Sequence, residues 1–173
     1  NVYDLFIRYP EPIVPREHRH GVTERVYADG AVRKPLDEAE VAAVADRIAA
    51  SGIRAVAVCF LHSYRNAAHE QRAAAILREK LPGVALSVSH RVSPEPREYQ
   101  RTSTTVLDAH VKPLVDRYVG ALEDGLAKQG YRRELEIMLS NGGSATTAIA
   151  REFPIQMIES GPAAGVEAAI WMC

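Results

Sequence analysis

Cysteine is scarce, with two in 173 residues: Cys59 inside an apolar run and Cys173 at the last position. Two thiols without a framework spacing exclude a disulfide-stapled scaffold and point to a reducing compartment, the cytoplasm. A basic excess is missing too, since 21 Lys and Arg stand against 22 Asp and Glu with the signs interspersed. That balance argues against a nucleic-acid partner, because phosphates are met by surplus cationic side chains. No apolar run reaches the roughly 20 residues that span a bilayer and no secretory leader is evident, so no membrane association is expected. Internal repeats and low-complexity tracts are absent. What remains, with 47% apolar residues, is material for a folded core rather than a disordered chain.

Periodicity then divides the chain. Pro10, Pro12 and Pro15, followed by Arg16, His18, Arg19 and His20, read as an extended surface segment with a small basic patch. Val22, Glu24 and Val26 alternate with Thr23, Arg25 and Tyr27 ahead of Asp29-Gly30, a hairpin signal with Ala31 to Lys34 as the return strand. Val41, Val44, Ala45 and Ile48 form one helical stripe, with acidic residues near its start and Ser51-Gly52 at its end. The nearly continuous apolar run 53–61 predicts a strand covered on both faces, 69–81 a helix, and 84–88 the next strand. This is βαβ logic and predicts an α/β domain with crossover helices.

The second half opens on Ser93-Pro94-Glu95-Pro96 and continues into a long helix over 107–126, which Pro113 should kink or divide. Beyond Gly130 the pattern predicts a strand at 135–139, a tight loop at 140–143, a brief helix at 144–151, a possible strand at 155–158 and an alanine-rich helix from Ser160 onward.

Open α/β sheets place ligands beyond the carboxyl ends of their strands, so the strand-end loops are the candidate sites. Asn141, Gly142 and Gly143 either turn the chain or offer backbone N–H groups to an anion or nucleotide. Gly161 and Gly165 either let a neighbour pack closely at the helix start or let a ligand approach the backbone. Neither loop has Walker A or dinucleotide spacing. His62, His69, Glu70 and His90 are competent metal ligands by type, but their spacing does not make a metal pattern, and no metal is expected. The polar run from Glu98 to Thr105 reads as capping and supporting structure or as the lining of a site. Cys59 reads as an inert core thiol.

Several motifs, taken together and in order, resemble the hydantoinase A and 5-oxoprolinase family, which includes acetone and acetophenone carboxylase subunits. They are Pro12 to Arg16, Val56 to Asn66, Arg97 to Val106, Ser140 to Gly143 and Ser160 to Val166. The resemblance implies an internal fragment of a larger protein with an actin-like, Hsp70-like ATPase fold of mixed sheets and crossover helices. Residues 1–92 would end the N-terminal region, and 93–173 would begin a truncated catalytic region. The implied activity is ATP-dependent hydrolysis of a cyclic amide or imide, such as hydantoin or 5-oxoproline, through carbonyl phosphorylation. A ketone-carboxylase subunit is the alternative, and a non-enzymatic α/β binding module is a third reading. ATP and Mg2+ are the implied cofactors of the intact protein, with phosphate loops upstream of Asn1 and after Cys173, so the fragment alone is expected to be inactive. A hydantoinase B-like subunit is an implied partner, as are the missing regions of the same chain. Asn141, Gly142, Gly143, Gly161 and Gly165 are the candidate cofactor-binding residues. Arg101, Thr102 and Thr104 are candidates for contacting substrate or supporting the groups that do. The resemblance assigns no nucleophile, base or metal ligand to a position in this chain.

Overall fold

A computed structural model describes Phe6 and residues 11–172; Pro10 and Cys173, named above, lie outside the described residues. The predicted hairpin forms from β1 (Arg25–Val26) and β2 (Val32–Lys34), antiparallel, with Arg25 opposite Lys34 and an irregularity before Val26. Gly30 at φ +94° lets the turn close, and Tyr27 N–H donates to Ala31 O at 2.8 Å across it. The extended segment before it contains one short 3-10 turn at Arg16–His18.

α1 (Glu38–Ser51) starts at Asp37, whose carboxylate accepts Glu40 N–H at 3.0 Å, and stops at Gly52 in the left-handed region. β3 (Ala55–Val58), α2 (Ala68–Lys80) and β4 (Ala85–Val88) make the expected βαβ unit, with the strands parallel and in register from Ala55 opposite Ala85 to Val58 opposite Val88. Val41, Val44, Ala45 and Ile48 of α1 pack with Ala73, Ala74 and Leu77 of α2, Leu81, Val58 and Val88 in one apolar core. Full burial of each large aliphatic side chain there contributes about 1.5–3 kcal/mol.

After the short α3 (Ser89–Val92), α4 (Glu98–Lys128) packs on β3 and β4, so both faces of the parallel pair are covered. Pro113 neither divides α4 nor ends it; the helix runs through, giving up the one backbone donor that proline lacks. Two expectations are corrected. The segment 144–151 is not all helix: β6 (Ser144–Thr146) pairs antiparallel with β5 (Glu136–Met138), and only α5 (Thr147–Glu152) is helical. The possible strand at 155–158 is instead a 3-10 turn, Pro154–Met157. Its backbone groups are taken by partners that hold no ladder, since Asp108 Oδ1 accepts Ile155 N–H at 3.1 Å and Gln156 O accepts the Ser140 N–H and hydroxyl at 2.7 Å each. α6 (Ser160–Met172) completes the described chain with Val166, Ile170, Trp171 and Met172 exposed. The result is a mixed α/β fold of one parallel and two antiparallel strand pairs joined by helices, and among the described residues each sheet has only two strands.

Candidate functional site

The carboxyl ends of β3 and β4 lie side by side, and the polar groups of the chain that are most deeply buried converge just beyond them. Ser63, Glu70, Ser87, Ser89, Arg101, Thr105 and Asp108 are each no more than 2% exposed. Burying charge is costly unless it is fully hydrogen-bonded. Two clusters satisfy that demand.

The first is centred on Glu70, in the first turn of α2. Its Oε1 accepts Phe60 N–H at 2.8 Å and the Ser89 hydroxyl at 2.6 Å, while Oε2 accepts His90 N–H at 2.9 Å and His90 Nδ1 lies 2.8 Å away. Arg101, one turn into α4, donates from Nε to Ser89 Oγ, from one terminal nitrogen to Glu95 O at 2.8 Å and from the other to Phe60 O at 3.0 Å. Its guanidinium also stands 5.4 Å from the centre of the Tyr64 ring. The loop after β3, α2, the start of α3 and α4 are thereby fastened by one carboxylate and one guanidinium. Two residues framing this cluster have left-handed backbones although neither is glycine: His62 at φ +59° and Arg97 at φ +75°. His62 Nδ1 is buried without a hydrogen-bond partner, and its ring meets Tyr64 edge-on at 6.0 Å.

The second cluster is centred on Asp108. It accepts the Ser87 hydroxyl at 2.6 Å, Ile155 N–H and Lys112 Nζ at 3.3 Å, and Lys112 also donates to Glu152 O at 2.6 Å. It fixes β4, α4 and the 3-10 turn to one another. Cys59 lies next to the first cluster; burial, reinforced by the Glu70 charge, pushes its thiol up to about 11. The sequence reading of an inert thiol and the structure therefore agree.

The predicted site residues do not assemble into one place. Of Arg101, Thr102 and Thr104, Arg101 enters the buried cluster, Thr102 is exposed and Thr104 is half-buried. Asn141, Gly142 and Gly143 turn the β5–β6 hairpin. Gly142, at φ +84°, donates to Leu139 O at 3.1 Å, and Gly143 donates to Asn141 Oδ1 at 2.9 Å, so both glycine N–H groups are already used. A Cβ on Gly142 would stand 3.2 Å from Glu167 Oε1, which puts a carboxylate beside the loop. Gly161 and Gly165 lie in α6, and a Cβ on either meets nothing within 4 Å. Close packing does not explain these two glycines among the described residues. An engaged turn next to a carboxylate and two helical glycines facing open space do not form a phosphate cradle, so the described residues do not by themselves build a site for ATP and Mg2+. Among the described residues no group of three or more His, Cys, Asp or Glu is placed to hold a metal ion, and no helix is long and apolar enough to cross a membrane.

What sequence reasoning passed over is Glu70 and Asp108 as hubs, although a signal was present. Glu70, Ala73, Ala74 and Leu77 share the inward helical stripe of α2, and Arg101, Thr105, Asp108 and Ala109 share that of α4. A charge on an apolar stripe marks a buried, partnered group.

A βαβ unit with buried charge at its strand ends, continued by a long helix and an antiparallel hairpin, defines an α/β protein in which the strand-end loops are held by polar struts. Residues 1–81 match the hydantoinase/oxoprolinase N-terminal region and residues 101–172 match hydantoinase/oxoprolinase, in that order. The chain belongs to the hydantoinase/oxoprolinase family. It is 38% identical over 168 residues to the caprolactamase subunit alpha of Pseudomonas jessenii, covering 97% of this chain and 24% of that one. It is 35% identical over 165 residues to the acetophenone carboxylase gamma subunit of Aromatoleum aromaticum, covering 91% and 22%. The crystal structure of ATP-dependent caprolactamase from Pseudomonas jessenii superposes with a TM-score of 0.86 at 38% identity, over 93% of this chain and 23% of that one. The chain thus spans about a quarter of the length of these relatives.

Proposed function

We propose that the whole protein is an ATP-dependent amidohydrolase that opens a cyclic amide or imide through phosphorylation of the carbonyl oxygen. The observation that carries this reading is the close likeness to ATP-dependent caprolactamase, at a TM-score of 0.86 and 38% identity along nearly the entire chain. In this reading the chain contributes part of an actin-like ATPase fold, divided near residue 92. ATP and Mg2+ are held mainly by residues outside these 173, because the glycine loops here do not build a cradle.

The role of this chain's own residues is then positional. Glu70 and Arg101 hold the loops after β3 and β4 in one arrangement. Preorganisation of this kind matters because small displacements of reacting groups are costly in rate. Relatives named as subunits support a second polypeptide, of hydantoinase B type, as partner. A ketone-carboxylase subunit is the competing reading, supported by the likeness to the acetophenone carboxylase gamma subunit.

The test is an assay of the intact protein with its partner subunit, supplying ATP, Mg2+ and either a lactam, hydantoin or 5-oxoproline, or a ketone with bicarbonate. Phosphate release coupled to ring opening supports the amidohydrolase reading. Phosphate release only with ketone and bicarbonate overturns it in favour of the carboxylase. Residues 1–173 alone are expected to show no ATP turnover.

A further inference from the structure

The face that α4 turns to the sheet is not its apolar one. The buried residues of this helix are Arg101, Thr105, Asp108, Ala109 and Val119, and the first three are polar groups of the strand-end clusters. Its sustained apolar row lies beside that face. Leu107, Val111, Leu114, Tyr118, Ala121 and Gly125 follow one another at steps of four, three, four, three and four, the spacing that keeps one seam turned toward a second helix. None of the six is buried, and Leu114 and Tyr118, in the middle of the row, are 61% and 60% exposed. Arg117 and Asp124 border the row on one side and are both exposed, and Arg117 Nε donates to Pro113 O of its own helix at 3.2 Å. An apolar row about five turns long with a charged rim has the anatomy of an interface rather than of a solvated helix face.

We propose that this row is a docking seam for an amphipathic helix of the same polypeptide, drawn from the part that lies outside these 173 residues. The matching spacing on that helix gives the shallow crossing, about 20°, of left-handed helix packing. Two considerations select this occupant over a second copy or a partner subunit. A seam about 27 Å long and about 10 Å wide buries on the order of 300 Å² on each side, well below the roughly 800 Å² per partner of a specific interface between separate chains. A helix on the same polypeptide is spared that demand, because its docking is intramolecular. The material for it is present in the family as well. This chain covers 24% and 22% of the caprolactamase and acetophenone carboxylase subunits, which leaves roughly three quarters of each outside the matched part. The inference is independent of which reaction the whole protein catalyses.

Two measurements on the intact protein with its partner subunit test it. The first is hydroxyl-radical footprinting, read at Leu114 and Tyr118 by mass spectrometry. Both side chains are expected to be oxidised at least about fivefold more slowly in the folded protein than in urea. A smaller difference at either residue means an open seam and overturns the proposal. The second replaces Arg117, on the rim and outside the apolar row, with the photo-crosslinking residue p-benzoylphenylalanine. The expected product migrates as a single polypeptide in a denaturing gel. Its link joins position 117 to a segment outside residues 1–173 whose apolar residues recur three and four apart. A link to the partner subunit or to a second copy overturns the proposal in favour of that occupant. A link confined to residues 1–173, or no link at all, overturns it outright.

Discussion

Glu70 and Arg101 meet through a hydroxyl rather than in a direct ion pair: Ser89 Oγ donates to Glu70 Oε1 at 2.6 Å and accepts from Arg101 Nε at 3.1 Å. Ser63 Oγ lies 2.9 Å from the same oxygen and, because the Ser89 hydrogen is committed to Glu70, is the donor of that pair. One hydroxyl thus mediates between a buried anion and a buried cation.

The hub predicts a graded response to substitution. Ser89→Ala removes a donor and an acceptor at once, leaving Arg101 Nε and the Ser63 hydroxyl unmatched, and is expected to cost about 1–3 kcal/mol. Arg101→Met strands Glu95 O, leaves Phe60 O with only the long Ser63 N–H bond and removes the buried guanidinium from the cluster, with an expected cost of about 3–5 kcal/mol. Urea denaturation of the purified protein compares the two. Equal losses, or an Arg101→Met variant as stable as the parent, would show that the guanidinium is not a strut between the β3 loop and α4.

Cys59 carries a pH dependence of definite sign. Its thiol titrates near 11 in the folded chain against 9.0 for an unperturbed one, with burial as the main cause, then the charge of Glu70, partly opposed by hydrogen bonds from Thr105 and Thr102 and by the charge of Arg101. Because the folded value is the higher, the unfolded chain gives up this proton first. The contribution of Cys59 to stability is intact below pH 9 and declines as pH rises from 9 to 11, by about 2–3 kcal/mol in all. Denaturation of Cys59→Ala beside the parent at pH 8 and pH 10.5 isolates it, and the gap between the two should narrow at the higher pH. In a Cys173→Ser background, a thiol reagent at pH 8 should label Cys59 only after unfolding. Rapid labelling of the native protein would contradict the burial that raises this group.

Much of the architecture was legible because burial and period coincide where the core is apolar. Val41, Val44, Ala45 and Ile48 were placed on one face by spacing alone, and the same four are buried in α1. The run 53–61 read as a doubly covered strand, and α2 and α4 contribute to covering β3. Legibility failed where backbone groups are satisfied at long range. The segment 155–158 is apolar enough for a strand, but Asp108, 47 residues earlier, captures Ile155 N–H and no window of local sequence contains that acceptor. The hub was hidden for a related reason. By residue type Glu70 and His90 read as metal ligands, whereas the structure joins Glu70 to Phe60 and to Ser89 and His90 of α3, with Arg101 reaching the same cluster through Ser89. Pro113 shows the converse: of the kink or division that its ring signals, a division does not occur, and one helix of 31 residues runs through it.

The glycines offer the sharpest separation of turn geometry from ligand approach. Gly165 lies in the interior of α6 with no atom near a notional Cβ, so Gly165→Ala adds helix propensity without a clash and is expected to stabilise the protein by about 0.5–1 kcal/mol. Gly142 differs in both respects. At φ +84° an alanine is strained at a cost of about 1 kcal/mol or more, and its Cβ meets Glu167 Oε1 at 3.2 Å, a contact that a side-chain rotation can relieve. Gly142→Ala is therefore expected to destabilise while Gly165→Ala stabilises, as read by thermal midpoints. The same pair tests cofactor binding in the intact enzyme. If nucleotide approaches the α6 backbone, Gly165→Ala raises the KM for ATP despite the gain in stability. An unchanged KM assigns Gly165 no part in holding the nucleotide.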